Sequence, residues 1–371
     1  MMQLPAGRQT YAVIDVAALR HNYEYIRKVV PPDVSMLTVV KANAYGHGAT
    51  IAGPTLEKAG AEWLGVATVG EAVELRSAGV NIPILVLAGA AGRDMSVLHK
   101  FRLTVALLDI EMARDLAAAA QGTRVRVHIK IDTGMGRIGV LPDELPALLD
   151  EIRGSGSLEV DGVFSHFGNA DDVSGPYCDT QIERFRRALE ILTAKGFDPP
   201  WIHMANSAAT LSRHETHFSM VRPGIALYGI VPPSTPTPEL KPVMRLVTHI
   251  QQMKRLPAEY PVSYAQTFVT RRPSKIAVLP IGYADGYSRR LSNNAQVLVR
   301  GRRAAVVGRV CMDLTMIDVT DIDGVEKGDE VVLWGRQGEA EITVSEVAAW
   351  QDTVAYEVIN QLGKRVPRLV A

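Results

Sequence analysis

Lys41 closes an apolar run, Met36–Val40, and a loop of small residues follows it, Ala42-Asn43-Ala44-Tyr45-Gly46-His47-Gly48. A lysine at the carboxyl end of a core strand is costly to place, because burial disfavours its charged form. Partly desolvated, it offers a neutral amine that can form a Schiff base with an aldehyde cofactor. The competing reading is a lysine leaving the core with its stem buried and its amine in water. This segment alone does not choose between them.

The second dense motif is Val127-His128-Ile129-Lys130-Ile131-Asp132-Thr133-Gly134-Met135-Gly136-Arg137. Alternation along a strand puts His128, Lys130 and Asp132 on one face, which is expensive in an interior unless they are paired or functional. The glycine-rich turn returns Arg137 toward them, and its planar fork suits a carboxylate or a phenolate oxygen. A Lys130–Asp132 ion pair with a turn-capping arginine is the structural alternative. His166 stands at the end of another apolar run, and Arg222 is surrounded by residues that bury it. A buried guanidinium needs an acceptor, for which a pyridine nitrogen or a carboxylate would serve. Asn206-Ser207 reads as a capped helix start with free backbone N–H groups, and Gly224-Ile225 follows Arg222 where a backbone could approach a ligand closely. Together these two suit a phosphate. Tyr264, Tyr283 and the pair Met312-Asp313 lie in turn-like segments further on. A tyrosine working as a base needs a cation close by, which sequence does not reveal.

The elements that must carry these residues alternate. Strand candidates are Met36–Val40, Trp63–Thr68, Ile82–Leu87, Leu103–Leu108, Val125–Ile131, Val160–Ser165, Trp201–Ala205 and Met220–Leu227. Helical patterns such as Gly70–Ala78, Ile110–Ala120 and Gln181–Lys195 lie between them. Eight such units predict an α/β fold, a (β/α)8 TIM barrel over residues 10–240, with a doubly wound open sheet as the rival. Polar residues at nearly every strand's carboxyl end favour the barrel, because barrel enzymes build their sites there. Val231–Pro238, with four prolines, reads as a stiff connector. Beyond it, β-branched runs at Leu246–Met253, Lys275–Gly282, Ala295–Arg300, Ala304–Cys311 and Glu330–Trp334 predict a mostly β domain over 241–371, with a helical tail near Val344–Leu362.

Composition excludes several classes. The chain has 371 residues, Lys plus Arg equals Asp plus Glu at 40 each, and the basic pairs are scattered, so no nucleic-acid partner is expected. Cys178 and Cys311 lie far apart, offer no metal-ligand spacing and suit a reducing compartment. No apolar run approaches the roughly 20 residues of a membrane span, and Met1–Thr10 lacks the character of a signal peptide. A cytoplasmic protein with no membrane partner and no metal is expected.

The motifs VVKANAYGHG, KIDTGMGRIG, SHFGNAD, NSAAT, VRPGIALYG, VSYAQT, IGYADGY, VGRVCMDLTMIDV and AYEVINQLGKRVPR, in that order, resemble those of the bacterial alanine racemases. They cover nearly the whole chain. The resemblance implies a type III pyridoxal-phosphate enzyme, a barrel plus a β domain, acting on alanine as a head-to-tail homodimer with shared active sites. It implies that Lys41 carries the cofactor and serves as one base, while Tyr264 of the other subunit serves as the second. Tyr45, Ser207, Gly224, Ile225 and Tyr356 match phosphate ligands, with Asn206 beside them. Arg222 matches the arginine facing the pyridine nitrogen, His166 its support, and Arg137 the contact to the phenolic oxygen and substrate. Lys130 matches a lysine carbamylated in many members (N6-carboxylysine), which would hold Arg137. Met312 and Asp313 match the pair receiving the substrate carboxylate, and Tyr283 a tyrosine at the entrance. The implied role is D-alanine supply for peptidoglycan; a serine or broad-spectrum racemase of the same fold is the alternative. Ala265 departs from a common glycine, which bears on the turn that presents Tyr264.

Overall fold

A computed structural model describes residues 9–169, 175–232, 235 and 239–371. Ala170 and Asp171 of the histidine motif, and Pro233, Ser234, Pro236, Thr237 and Pro238 of the connector, lie outside the described residues. The chain divides into two compact units. One comprises residues 17–44 and 48–241, the other residues 1–16, 45–47 and 242–371. The barrel reading began at residue 10; the segment through Val16 groups instead with the β unit, because its strand pairs there.

That strand is β1 (Tyr11–Ile14). The barrel then runs through β2 (Ser35–Val39), β3 (Trp63–Val66), β4 (Ile84–Val86), β5 (Leu103–Leu107), β6 (Val125–Lys130), β7 (Leu158–Phe164), β8 (Trp201–His203) and β9 (Met220–Val221). All eight are parallel neighbours in sequence order, and β9 returns to β2 through Ser35↔Met220 and Met36↔Val221, closing the barrel. The open-sheet rival is thereby excluded. Strands such as Leu103–Leu107 are buried at every position, the mark of a parallel sheet covered by helices. Helix starts are fixed by side chains: Asp109 accepts from Met112 N at 2.7 Å, and Thr68 and Glu71 form a reciprocal capping box.

The last barrel strand is shorter than its apolar run suggested. Ile225–Tyr228 coils into a 3-10 turn, anchored by the Tyr228 hydroxyl, which donates to the Val39 carbonyl at 3.0 Å. In the second unit the sheet order is β11-β14-β17-β16-β15-β18-β10-β1-β20, with β19 on β18. The strands are β10 (Met244–His249), β11 (Gln252–Leu256), β12 (Pro261–Val262), β13 (Phe268–Val269), β14 (Ser274–Leu279), β15 (Gln296–Val299), β16 (Arg302–Val306), β17 (Thr315–Asp318), β18 (Glu330–Gln337), β19 (Ala340–Ile342) and β20 (Arg368–Val370). β12 and β13 form a separate hairpin. The expected strand Leu246–Met253 is two strands, and two short helices, Val344–Gln351 and Ala355–Asn360, make up the tail.

Within the barrel unit, Asn22 is fully buried, and it donates to the carbonyls of Leu227 at 3.0 Å and Lys241 at 2.8 Å while accepting from Lys241 N at 2.7 Å. Asn22→Ala strips three backbone groups of their partner and should cost on the order of 2–4 kcal/mol. Denaturant unfolding reads this, and a loss well under 1 kcal/mol would mean that the tie is not structural.

Candidate active site

The carboxyl ends of the barrel strands converge on a set of cations. Lys41 is half-buried at the end of β2, and its pKa is pushed down by burial and then by the charges of Arg137 and Arg222, with Glu71 opposing. The backbone after it is unusual. Ala42, Asn43 and Ala44 hold φ of 52°, 55° and 54°, and Tyr45 continues with 51°. Such left-handed residues cost about 1–2 kcal/mol each, so other bonds must hold the turn. Ala44 N donates to Val40 O at 2.8 Å, Ala49 N to Asn43 Oδ1 at 2.7 Å, and Ala42 N to Glu71 Oε1 at 2.6 Å. The other Glu71 oxygen accepts from Ala67 N at 2.7 Å. Glu71 thus clamps the lysine's turn to the next strand's end. The sequence did not single out Glu71.

On β6, Lys130 is buried over the Phe164 ring (5.1 Å to the centroid) and donates to the Ile131 carbonyl at 3.2 Å. Burial first, and then the Arg222 charge, push its pKa down to about 7, against the pull of Asp132. Asp132 does not pair with it. Its Oδ1 accepts from the backbone N–H groups of Gly134, Met135 and Gly136 at 2.8, 2.8 and 3.1 Å, and its Oδ2 from that of Arg137 at 3.0 Å. Burial alone would raise its pKa; the four donors outweigh it, and the net shift is down. The turn that returns Arg137 is therefore built on Asp132. Gly139, at φ 113°, has no room for a Cβ, which would meet the Lys130 Cγ and carbonyl oxygen at 2.8 Å each.

Arg222 is buried among neutral acceptors: His203 Nδ1 (3.0 Å), Ser165 O (2.6 Å), His166 Nδ1 (3.2 Å) and Met204 O (3.1 Å). Burial alone lowers its pKa to about 9, so it stays protonated at neutral pH. Burial, then the charges of Arg222, Lys130, Arg137 and Lys41, hold His166 far below the usual imidazole range. His203 is a participant the sequence did not single out; a histidine inside an apolar strand was its one signal. Ser207 Oγ accepts from Gly224 N at 2.8 Å and Ala226 N at 3.3 Å, joining the two loops read as a phosphate seat. Asn206 Oδ1 caps Ala209 N at 3.0 Å, the plain helix-cap role. Gly224 precedes the turn at φ −129° and ψ −88°, and Ile225 is buried beside it.

The remaining expected residues lie in the β unit. Tyr45 is buried with its ring 5.9 Å from that of half-exposed Tyr356, and burial, then Tyr356, raise its pKa. Tyr264 is 69% exposed on a 3-10 turn, where Ser263, Ala265 and Gln266 have φ of 66°, 58° and 51°. Ser263 Oγ donates to Arg309 O at 2.7 Å and lies 3.4 Å from Cys311 Sγ. Tyr283 N and Ala284 N donate to the carbonyls of Cys311 and Met312 at 3.0 Å each, bringing the Tyr283 turn onto the Met312 segment. Asp313 Oδ1 accepts from Arg365 Nη2 at 2.6 Å.

A barrel unit of this geometry followed by a β unit of this topology is matched along its length by two family models, the N-terminal domain of alanine racemase over residues 14–232 and the C-terminal domain over 243–370. The chain belongs to the alanine racemase family. Its relatives include the alanine racemase of Symbiobacterium thermophilum, 44% identical over 99% of this chain and 98% of that protein, and that of Geobacter sulfurreducens, 42% identical over 98% and 97%. The crystal structure of alanine racemase from Bacillus anthracis with bound L-Ala-P superposes with a TM-score of 0.94 at 38% identity, covering 99% of this chain and 96% of that one. That of Bartonella henselae with covalently bound pyridoxal phosphate gives 0.89 at 32%, covering 99% and 100%. Proteins of this family are isomerases, and the barrel residues above fit the cofactor's chemistry: a lysine of depressed pKa, a buried arginine donor, and a serine joining two backbone loops.

The buried amine generates a prediction. A lysine with pKa near 7 folded and 10.5 unfolded binds fewer protons when folded, so it lowers stability at neutral pH, and that loss fades as pH rises toward 10.5. In carbon-dioxide-free buffer, Lys130→Met should be more stable than the parent at pH 7.5, with the gap closing by pH 10.5. A gap independent of pH in unfolding titrations would mean that Lys130 is charged in the folded protein.

Proposed function

We propose that this chain interconverts L-alanine and D-alanine with pyridoxal phosphate bound in the barrel, using Lys41 and Tyr264 as two bases. The observation that carries the reading is a half-buried lysine, its ammonium disfavoured by burial and two arginines, at a barrel strand end in a chain of the alanine racemase family. Racemisation needs a proton removed from one face of the α-carbon and another delivered to the opposite face, hence two groups. When bound, pyridoxal phosphate delocalises the charge left at that carbon, which supplies most of its acidity.

The residues divide the remaining work. Lys41 would hold the cofactor through its Nζ and then accept or return the proton of the D enantiomer. Tyr264, supplied by a second copy in a homodimer, would handle that of the L enantiomer. Its 69% exposure, with Met312 and Tyr283 also exposed, supports a surface that another copy covers. Ser207, Gly224, Ile225, Tyr45 and Tyr356 would seat the phosphate, with Asn206 capping the adjoining helix. Arg222 would donate to the ring nitrogen, which stays unprotonated because a guanidinium does not surrender its proton at neutral pH. Met312 and Asp313 would receive the substrate carboxylate, and Tyr283 would line the entrance. A carbamate on Lys130, favoured by its neutral amine, would supply the anion to hold Arg137. We extend the reading to D-alanine supply for peptidoglycan in the cytoplasm, which family membership supports, as do Cys178 and Cys311, which form no disulfide.

Two experiments test it. Borohydride treatment of the purified protein should fix the cofactor on the peptide bearing Lys41, and labelling of another lysine would refute that role. Tyr264→Phe should slow α-deuterium washout from labelled L-alanine far more than from D-alanine, by about 10²–10⁴-fold. Equal losses from both enantiomers would mean that one base serves both faces. Serine assayed beside alanine separates the broad-spectrum alternative.

A further inference from the structure

The hydrogen bonds of Arg222 can be followed away from the barrel mouth. A guanidinium only donates, so His203 Nδ1, which receives Nη1 at 3.0 Å, is a lone-pair nitrogen. The His203 proton is therefore on Nε2, which lies 2.8 Å from His128 Nδ1. His128 must accept there and keep its own proton on Nε2. That nitrogen is buried, makes no hydrogen bond, and stands 3.8 Å from Asp161 Oδ2. Every proton in the series points one way, from Arg222 through two neutral imidazoles to a carboxylate. Burial comes first among the causes that lower the pKa of both imidazoles; at His128 the Asp161 carboxylate opposes it, and at His203 the Arg222 charge adds to it.

Two features of the strands serve this series. Val127 pairs with Val160 and His128 with Gly162, so Asp161 is the extra residue of a bulge in β7, a device that re-aims a side chain and is rare between parallel strands. Gly162 leaves room for the imidazole: a Cβ there would sit 2.5–2.7 Å from the His128 ring. The rings are clamped as well, with Phe164 stacked on His203 at 4.9 Å and Trp63 5.4 Å from His128. Apolar side chains would fill the same interior without an orphaned N–H.

We propose that Asp161 is a positioning residue that acts through His128 and His203 to fix the proton polarity of the series and hence the orientation of Arg222. Without the carboxylate, the polarity rests on the Arg222 N–H alone, and nothing at the far end of the series opposes a proton on His128 Nδ1. That proton would oppose His203 Nε2–H, drive the His203 proton to Nδ1, and set it against Arg222 Nη1–H. The series switches as a unit because each ring has one proton to place. The link to catalysis rests on the function proposed above; the tautomers do not.

The test uses the intact holoenzyme with 15N-labelled histidine. In the parent, His128 and His203 should both show protonated Nε2 and bare Nδ1. Asp161→Asn keeps the size and removes the charge. It should give mixed tautomers at both rings and lower kcat in both directions on the order of 10-fold with KM little changed, the scale on which orienting partners behind a functional side chain act. Asp161→Leu should go further, and Asp161→Glu should restore the parent pattern. A parent His203 with its proton on Nδ1, or Asp161→Asn with unchanged tautomers, overturns the proposal. Changed tautomers beside unchanged kcat overturn the positioning role, as does lost thermal stability alone. A parent that racemises nothing would sink the proposed function, while the tautomer result would still decide the series.

Discussion

Positive charge is crowded at the carboxyl end of one barrel, and most of the local structure follows from how that crowding is relieved. Lys41, Lys130, Arg137 and Arg222 act on one another, while the nearby carboxylates, Glu71 and Asp132, spend oxygens on backbone N–H groups. Guanidinium groups do not give up a proton at physiological pH, but amines do. Burial first, and then the arginine charges, shift both lysines toward the neutral form. A site that must form a covalent bond through an amine gains its nucleophile in this way without a dedicated base beside it. The charge that remains on the arginines suits an anionic phosphate and a substrate carboxylate.

Neutral acceptors, not counter-ions, hold Arg222. A carboxylate in contact would compete with a ring nitrogen for the same N–H groups and would soften the field acting on the lysines. Imidazoles and carbonyls accept the hydrogen bonds and leave the charge in place. The cost is a desolvated cation in the barrel interior, stacked 5.3 Å from the Phe164 ring, whose π face returns part of the lost solvation.

How much of this was legible in the sequence depended on whether a residue's signal was local. The barrel strands stood out because both faces are apolar, so runs such as Leu103–Leu107 are uninterrupted. Strand ends were harder to place: Ile225–Tyr228 is as apolar as a strand but coils, since Gly224 bends the chain and Tyr228 ties it to Val39. Short strands such as Thr315–Asp318, inside the sheet, and Arg368–Val370, at its edge, gave too few residues for alternation to register. Lys41, Lys130 and Arg222 were legible as charges inside apolar text. The clamp by Glu71 was not, since it joins residues 29 apart, nor was the link between His128 and His203, 75 apart.

The two residues read as bases are carried by the same backbone device. Lys41 precedes four residues at positive φ, and Tyr264 is flanked by three, Ser263, Ala265 and Gln266. Left-handed backbone at residues with a Cβ persists only where other bonds over-determine it. Both places have such bonds: Glu71 and Asn43 hold the first, and Ser263 and the Asn293–Thr267 contact at 3.0 Å hold the second. A regular strand end or helix would leave each side chain on a surface shared with its neighbours. A left-handed turn reverses the chain within a few residues, so one side chain projects alone. Ala265 in place of glycine sharpens the point, since alanine bears the strain that glycine would escape but also narrows the unfolded alternatives. An exposed tyrosine on such a turn is therefore held by its backbone even where nothing packs on its ring. A proton-transfer group that must meet its substrate at a fixed angle needs that stiffness before any partner arrives.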